Sequence, residues 1–103
     1  MDLIVKLQKW YLAQCNTDWE HTYGIKIGNL DNPGWTLEVD LIDTYLEHTV
    51  FEKKSYCMGI EAATSGNEWL VCEVKEGKFE AAGGPEKLQE MISVFLTWAE
   101  LNL

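Results

Sequence analysis

The 103-residue chain contains no arginine, and its eight lysines face seventeen acidic residues, which gives a net charge of −9. Nucleic-acid-binding proteins usually present a basic patch and use arginine for two-point contacts to phosphate. The sequence therefore argues against a nucleic-acid partner. An excess of acidic residues favours a basic partner, because long-range electrostatic attraction speeds association with one. The alternative is that the acidic residues only keep the protein soluble.

Cysteine is scarce, and long apolar runs are absent. Cys15, Cys57 and Cys72 show no metal-binding spacing, and their odd number favours a reducing compartment. No segment approaches the ~20 apolar residues of a membrane helix, and the N-terminus does not resemble a secretory signal. We therefore expect a cytoplasmic protein with no membrane partner.

The common catalytic motifs are missing as well, among them HExxH, GxSxG, the Walker loop and GxGxxG. Asp18, Glu20 and His21 are the one group suited to metal binding or acid–base chemistry. If this segment is extended, His21 points away from both carboxylates. We predict no catalytic residue, no metal and no cofactor. A small metal-binding or hydrolytic enzyme built on these three residues is the alternative.

Aromatic residues are plentiful, with five tryptophans in a chain that is 47% apolar. This composition predicts one folded domain spanning residues 1–103, with a core that needs neither disulfide nor metal. Tryptophan serves both as a core anchor and as an interface residue. A subunit that merely oligomerises through its aromatics is therefore a further alternative.

Two segments carry helical periodicity. Residues 2–14 place apolar side chains on one stripe, with Asp2 suited to cap the helix. Residues 85–101 begin at Pro85, which suits a first helical position, and carry a wide apolar stripe. The stripe of the first segment consists of Leu3, Leu7, Trp10 or Tyr11, and Gln14, with Ile4 and Tyr11 beside it. The stripe of the second consists of Leu88, Met91, Ile92, Phe95, Leu96 and Ala99.

Alternation of apolar and polar residues indicates strands between these helices. Residues 22–28 and 35–41 predict a hairpin whose turn, Asn32-Pro33-Gly34, fits type II with a positive φ at Gly34. Further strands are expected at 49–57, 69–74 and 79–81, with a loop over 58–67 and a turn over 75–78. The order predicts an α+β fold, in which an N-terminal and a C-terminal helix pack on one face of an antiparallel sheet of about five strands.

Acidic residues concentrate in the middle of the chain, where residues 27–52 contain six acids and no lysine. Glu38 and Asp40 share the outward face of their strand, since side chains alternate. Trp69 and Glu73 share the outward face of another. We hypothesise that the uncovered sheet face, or its edge, carries an acidic patch with an exposed aromatic that contacts a protein partner; a solvated face with Trp69 buried is the alternative. The candidate contact residues are Glu38, Asp40, Asp43, Glu47, Trp69 and Glu73.

The segment 15–35 holds the densest set of unusual residues. We interpret Trp19 as a core anchor, Asp18 as a capping or turn-forming acid, and Glu20 with His21 as a buried hydrogen-bonded pair. These residues are predicted to be framework first and partner contact second. The framework set consists of Asp18, Trp19, Glu20, His21, Asp31 and Trp35.

These motifs resemble the bacterial immunity protein 53 family, whereas residues 43–66 contribute little to the resemblance. The matching segments are Trp10-Tyr11, Cys15-Asn16, Asp18-Trp19-Glu20-His21, Gly24-Ile25, Ile27, Leu30-Asp31-Asn32-Pro33-Gly34-Trp35, Trp69, Cys72, Gly77-Lys78-Phe79, Gly84-Pro85 and Phe95-Leu96-Thr97-Trp98-Ala99. The resemblance implies a cytoplasmic protein of a polymorphic toxin system that binds and blocks a cognate toxin domain, and it brings no catalytic residues. Many such toxins are nucleases with basic clefts, which an acidic inhibitor would suit.

Overall fold

The computed structural model describes residues 2–31, 33–56 and 68–103. The predicted loop over 58–67, the predicted strand end at Cys57 and Asn32 of the predicted turn lie outside this part of the chain. In order, the elements are α1 (Leu3–Gln14), α2 (Trp19–Thr22), β1 (Ile25–Leu30), β2 (Gly34–Asp40), β3 (Lys54–Tyr56), β4 (Leu70–Lys75), β5 (Lys78–Gly83) and α3 (Leu88–Leu101). None of the helices formed by the described residues combines the length and hydrophobicity that crossing a bilayer requires.

The five strands form one antiparallel sheet in the order β1-β2-β5-β4-β3. Helix α3 lies across β2, β5 and β4, and α1 packs against α3. Asp2 caps α1, since its carboxylate accepts a hydrogen bond from the Val5 N–H at 2.8 Å. The predicted α+β fold, with its five strands and two terminal helices, is confirmed.

The core lies between the helices and the inner face of the sheet. Phe79 in the central strand is fully buried, with its ring centroid 5.2 Å from that of Phe95 and 5.4 Å from that of Phe51. Cys72 lies on the same face, and burial raises the pKa of its thiol to about 11. This cysteine is therefore a protonated core residue at neutral pH and not a nucleophile.

Three predicted boundaries were wrong by three residues or more. β1 begins at Ile25, not at residue 22, because Trp19–Thr22 form a short helix. α3 begins at Leu88, because residues 84–87 form a turn. β3 contains only three residues, Lys54–Tyr56. The segment before it packs against the core instead, because the Trp98 indole N–H donates a hydrogen bond to the Val50 carbonyl at 2.9 Å and Phe51 packs inward.

Gly34 also differs from the role predicted for it in the turn between β1 and β2. Gly34 does not have a positive φ, and it pairs with Leu30 as the first residue of β2. A Cβ at Gly34 would collide with the carbonyl oxygen of Gly83 on β5. Only glycine at this position therefore allows the backbones of β2 and β5 to approach so closely. The predicted turn between β4 and β5 is confirmed, with φ of 53° at Glu76 and 77° at Gly77.

Replacing Gly34 with alanine should destabilise the fold by about 2 kcal/mol, because β2 and β5 must separate to admit the methyl group. Gly24→Ala is the matched control, since a Cβ there meets no atom within 4 Å. Urea denaturation of both variants measures the difference. Equal stability of the two would contradict this explanation of Gly34.

Candidate protein-binding surface

Three glutamates lie side by side on the outer face of the sheet, opposite the helices. Glu38 of β2 pairs with Glu80 of β5, and Glu80 pairs with Glu73 of β4. Each alternates with buried residues of the inner face, and each is half-buried. We call Glu38, Glu80 and Glu73 the glutamate row.

The hydrogen-bond pattern fixes the spacing within this row. The Leu41 N–H donates to the Gly77 carbonyl at 2.8 Å, and the Gly84 N–H donates to the Trp69 carbonyl at 3.1 Å. By alternation, Glu38 and Glu80 form a non-hydrogen-bonded pair, with Cα atoms about 4.5 Å apart, and Glu80 and Glu73 a hydrogen-bonded pair at about 5.5 Å. The row therefore places three carboxylates within about 10 Å.

This arrangement opposes folding, because like charges directly across two strands destabilise a sheet by roughly 0.2–1 kcal/mol per pair. Lys26 lies opposite Glu38 at one end of the row. The ion pairs formed among residues 2–31, 33–56 and 68–103 involve none of the three glutamates. Among the described residues, no ion pair therefore offsets the repulsion between the three carboxylates.

Lysines lie beside the glutamate row on the same face and restrict the extent of negative charge there. In the neighbouring row, Asp40 pairs with Lys78, and Lys78 pairs with Lys75. Among the paired residues of β1, β2, β4 and β5, the outer face thus carries four carboxylates and three lysines, and three of the carboxylates lie in the glutamate row. A partner must place positive charge opposite the carboxylates and negative charge opposite the lysines, so this pattern of charge favours specific binding as well as attraction.

A depression of about 370 Å³ borders the glutamate row. Its floor beside the row is made of the small or apolar side chains of Thr36, Ala82 and Val71, with Ala82 of β5 paired to Thr36 of β2 on one side and to Val71 of β4 on the other. Long basic side chains bury an apolar stem and keep the charged head in a polar setting. The depression is suited to receive such a stem, with the head at the carboxylates.

The predicted contact residues divide into separate groups. Glu38, Asp40 and Glu73 lie on the outer face, and Asp40 also has a structural role because it accepts a hydrogen bond from the Gly24 N–H at 2.9 Å. Asp43 and Glu47 lie together in the connection between β2 and β3, where the Asp43 N–H donates to the Glu47 carboxylate at 3.1 Å. Trp69 is half-buried directly before β4.

Sequence reasoning missed Glu80, which is the middle member of the row. Its alternation with Phe79 and Ala81 already indicated that it points outward. What the sequence did not reveal was that β5 lies between β2 and β4. Without that strand order, Glu38 and Glu73 could not be recognised as members of one row.

The segment before β1 is built around a reciprocal cap. The Asn16 side-chain oxygen accepts hydrogen bonds from the N–H groups of Asp18 and Trp19, at 3.0 and 2.8 Å. In return, the Glu20 carboxylate accepts from the N–H groups of Asn16 and Thr17, both at 2.9 Å. This network explains why the chain turns sharply between α1 and β1.

The interpretation of Glu20 with His21 was wrong, and of the two roles predicted for Asp18 the capping role was wrong. His21 is exposed, so it does not form a buried pair with Glu20, whose carboxylate binds backbone N–H groups instead. Asp18 precedes α2, but its side chain makes no capping hydrogen bond, because Asn16 takes that role. Nor do Asp18, Glu20 and His21 form a metal site: within the described ranges, no three acidic, histidine or cysteine side chains cluster closely enough to hold an ion.

Two tryptophans connect segments that are distant in the sequence. Trp19 is 3% exposed, and its indole N–H donates to the Ile42 carbonyl at 2.9 Å. The Trp35 indole N–H donates to the Pro85 carbonyl at 3.0 Å, which joins the first hairpin to the turn before α3. Asp31 is exposed in the turn after β1.

The pKa of Glu20 is lowered because its carboxylate accepts backbone hydrogen bonds, first from its own amide and then from those of Asn16 and Thr17. A pKa lowered on folding stabilises the fold above the ordinary value of 4.5, and that contribution is lost as the pH falls through the folded value. Glu20→Gln should therefore show a smaller loss of urea resistance between about pH 6 and pH 3. Asp18→Asn is the control; an unchanged slope for Glu20→Gln would refute this role.

The sequence profile of immunity protein 53 matches residues 4–100, nearly the whole chain. The chain belongs to this family. No curated protein and no solved structure shows a significant match to it. Membership of the immunity protein 53 family supports an immunity function with a toxin as partner, and it suggests an inhibitor that is not itself an enzyme.

Proposed function

We propose that this protein neutralises a cognate toxin domain by direct, stoichiometric contact, and that the glutamate row is the centre of the contact surface. The observation that carries the proposal is the alignment of Glu38, Glu80 and Glu73 across three neighbouring strands. Because this alignment opposes folding, its presence needs a compensating role, and binding a cationic partner supplies one.

The partner surface is expected to be basic. An arginine or lysine of the toxin would place its head among the three carboxylates and its stem on Ala82, within the adjacent depression. Nuclease toxins bind phosphate through such residues, so occupying them would block substrate access. The protein would act in the cytoplasm, because an odd number of cysteines without metal-binding spacing favours a reducing compartment.

The central position of the glutamate row on the sheet fits such a role. Tight complexes bury about 800 Å² on each partner and depend on a few central residues surrounded by weaker contacts. The glutamate row lies across the three central strands, so neighbouring residues on every side can exclude water from it. The flanking Lys26, Lys75 and Lys78 would fix the orientation of the toxin.

The test is protection of cells that express the toxin domain encoded beside this protein. The double variant Glu38→Lys with Glu80→Lys should lose both protection and co-purification with the toxin. The matched control is Glu52→Lys with Glu86→Lys, which makes the same change in net charge at exposed positions outside the outer face. Equal protection by both double variants would show that the glutamate row is not the contact surface. No binding by the unmodified protein would refute the proposed function itself.

A further inference from the structure

β1 is an edge strand, and none of the described residues pairs with its outer side. The Gly24 carbonyl accepts a hydrogen bond from the Asp40 N–H at 3.0 Å, so every second residue from Gly24 onward bonds to β2. The backbone groups of Lys26 and Gly28 therefore point toward β2. Those of Ile27 and Asn29 point away from the sheet, where a further strand would find donors and acceptors.

The helix side of this edge offers apolar contact surface. Ile27 belongs to the inner face, yet it is 45% exposed, because the helices do not extend over the middle of β1. A depression of about 350 Å³ opens between α1 and the start of β1. Its lining consists of Leu7, Gln8, Tyr11, Gly24 and Ile25.

We propose that the outer edge of β1 binds a β-strand of the cognate toxin, which extends the sheet and turns apolar side chains toward Ile27 and the depression beside α1. In this mode of recognition, backbone hydrogen bonds supply affinity, and the pockets beside alternate residues supply specificity. The inference rests on the proposed function, and it adds a second contact region on the same partner.

The position of the glutamate row favours a toxin strand over a second copy of this chain. Adjacent strands lie about 4.8 Å apart, so an added strand is only about 10 Å from β2 and Glu38. The body of one toxin domain can therefore cover both regions. Symmetric pairing of two β1 strands would instead form one wide sheet with both glutamate rows uncovered, and it would bring together two chains of net charge −9.

Hydrogen exchange of individual amides tests this inference on the unmodified protein. On saturation with a catalytically inactive form of the toxin domain encoded beside this protein, the amides of Ile27 and Asn29 should exchange at least a hundredfold more slowly. Those of Lys26 and Gly28, which already bond to β2, should be protected in the free protein and in the complex. Unchanged exchange at Ile27 and Asn29 in a saturated complex would overturn the edge contact while leaving the proposed function intact.

Proline at position 27 provides a second test, because it removes an outward N–H while sparing the bonds between β1 and β2. Ile27→Pro should bind the toxin domain at least tenfold more weakly, whereas Ile27→Val, which keeps the N–H, should lose less than threefold. Equal binding by both variants would contradict the inference. Slow exchange of the Ile27 and Asn29 amides in the protein alone, together with a doubled mass in light scattering, would show that a second copy of the chain pairs with β1. That result would overturn the proposed contact with a toxin strand. Absence of any toxin binding would overturn both proposals.

Discussion

Replacing Glu80 with lysine is expected to weaken toxin binding by at least a hundredfold, whereas Glu80→Gln should weaken it by about tenfold. Glu80 is the middle of the glutamate row, so a positive charge there lies next to both Glu38 and Glu73 and repels the basic partner. Loss of the charge alone removes one attraction of about 1.4 kcal/mol, the equivalent of tenfold in affinity. Isothermal titration calorimetry with the toxin domain measures both effects.

The same substitutions should stabilise the free protein. Because Glu80 faces a like charge on each side, Glu80→Gln removes two repulsions, each worth roughly 0.2–1 kcal/mol. A substitution that weakens toxin binding but stabilises the free protein distinguishes a binding role from a structural one. Glu86→Gln, an exposed carboxylate outside the sheet, is the control for both measurements. A Glu80→Gln variant that is less stable, with unchanged affinity, would show that Glu80 serves the fold and not the partner.

Trp19→Ala should destabilise the protein by about 3–5 kcal/mol, a large part of the stability of a typical domain. The Trp19 ring meets that of Trp10 edge-on, with centroids 6.3 Å apart, and lies 6.1 Å from the rings of both Tyr11 and Tyr23. Truncation leaves a cavity between α1 and β1 and leaves the Ile42 carbonyl without its indole donor. Trp19→Phe, which fills most of the space, should lose about half as much. Chemical denaturation provides the comparison.

The neighbours of Trp19 in the sequence serve as its controls. Asp18 and His21 are exposed, so alanine at either position should change stability by less than about 0.5 kcal/mol. Toxin titration of these two variants then separates framework from contact within the Asp18–His21 motif. A stable Trp19→Ala variant would contradict the role of Trp19 as a core anchor.

Periodicity was sufficient to predict α1, α3 and the five strands, because both long helices and most strands bury one face, but it did not predict the short helix α2. Leu7 and Trp10 in α1 and the stripe from Met91 to Ala99 in α3 lie inward as their spacing indicated. The errors arose where long-range contacts override local preference. Pro85 suits a helix start, but its carbonyl is bound by Trp35, fifty residues away, and the turn at 84–87 forms instead.

The candidate surface was predictable only in part for the same reason. Alternation placed Glu38 and Glu73 on outward faces, but alternation within a strand carries no information about which strands are neighbours. Glu80 became recognisable as a member of the row once β5 was seen between β2 and β4. Similarly, the interpretation of Glu20 failed because Asn16 and Thr17 present backbone donors that a residue pattern does not reveal.

The most direct test of binding through the glutamate row is a calorimetric titration of the toxin domain with the unmodified protein at low and at high salt. We predict one-to-one stoichiometry and an affinity that falls steeply as salt rises, with that dependence largely lost in Glu80→Lys but kept in Glu86→Lys. One-to-one binding whose affinity and salt dependence are identical in all three proteins would contradict the account.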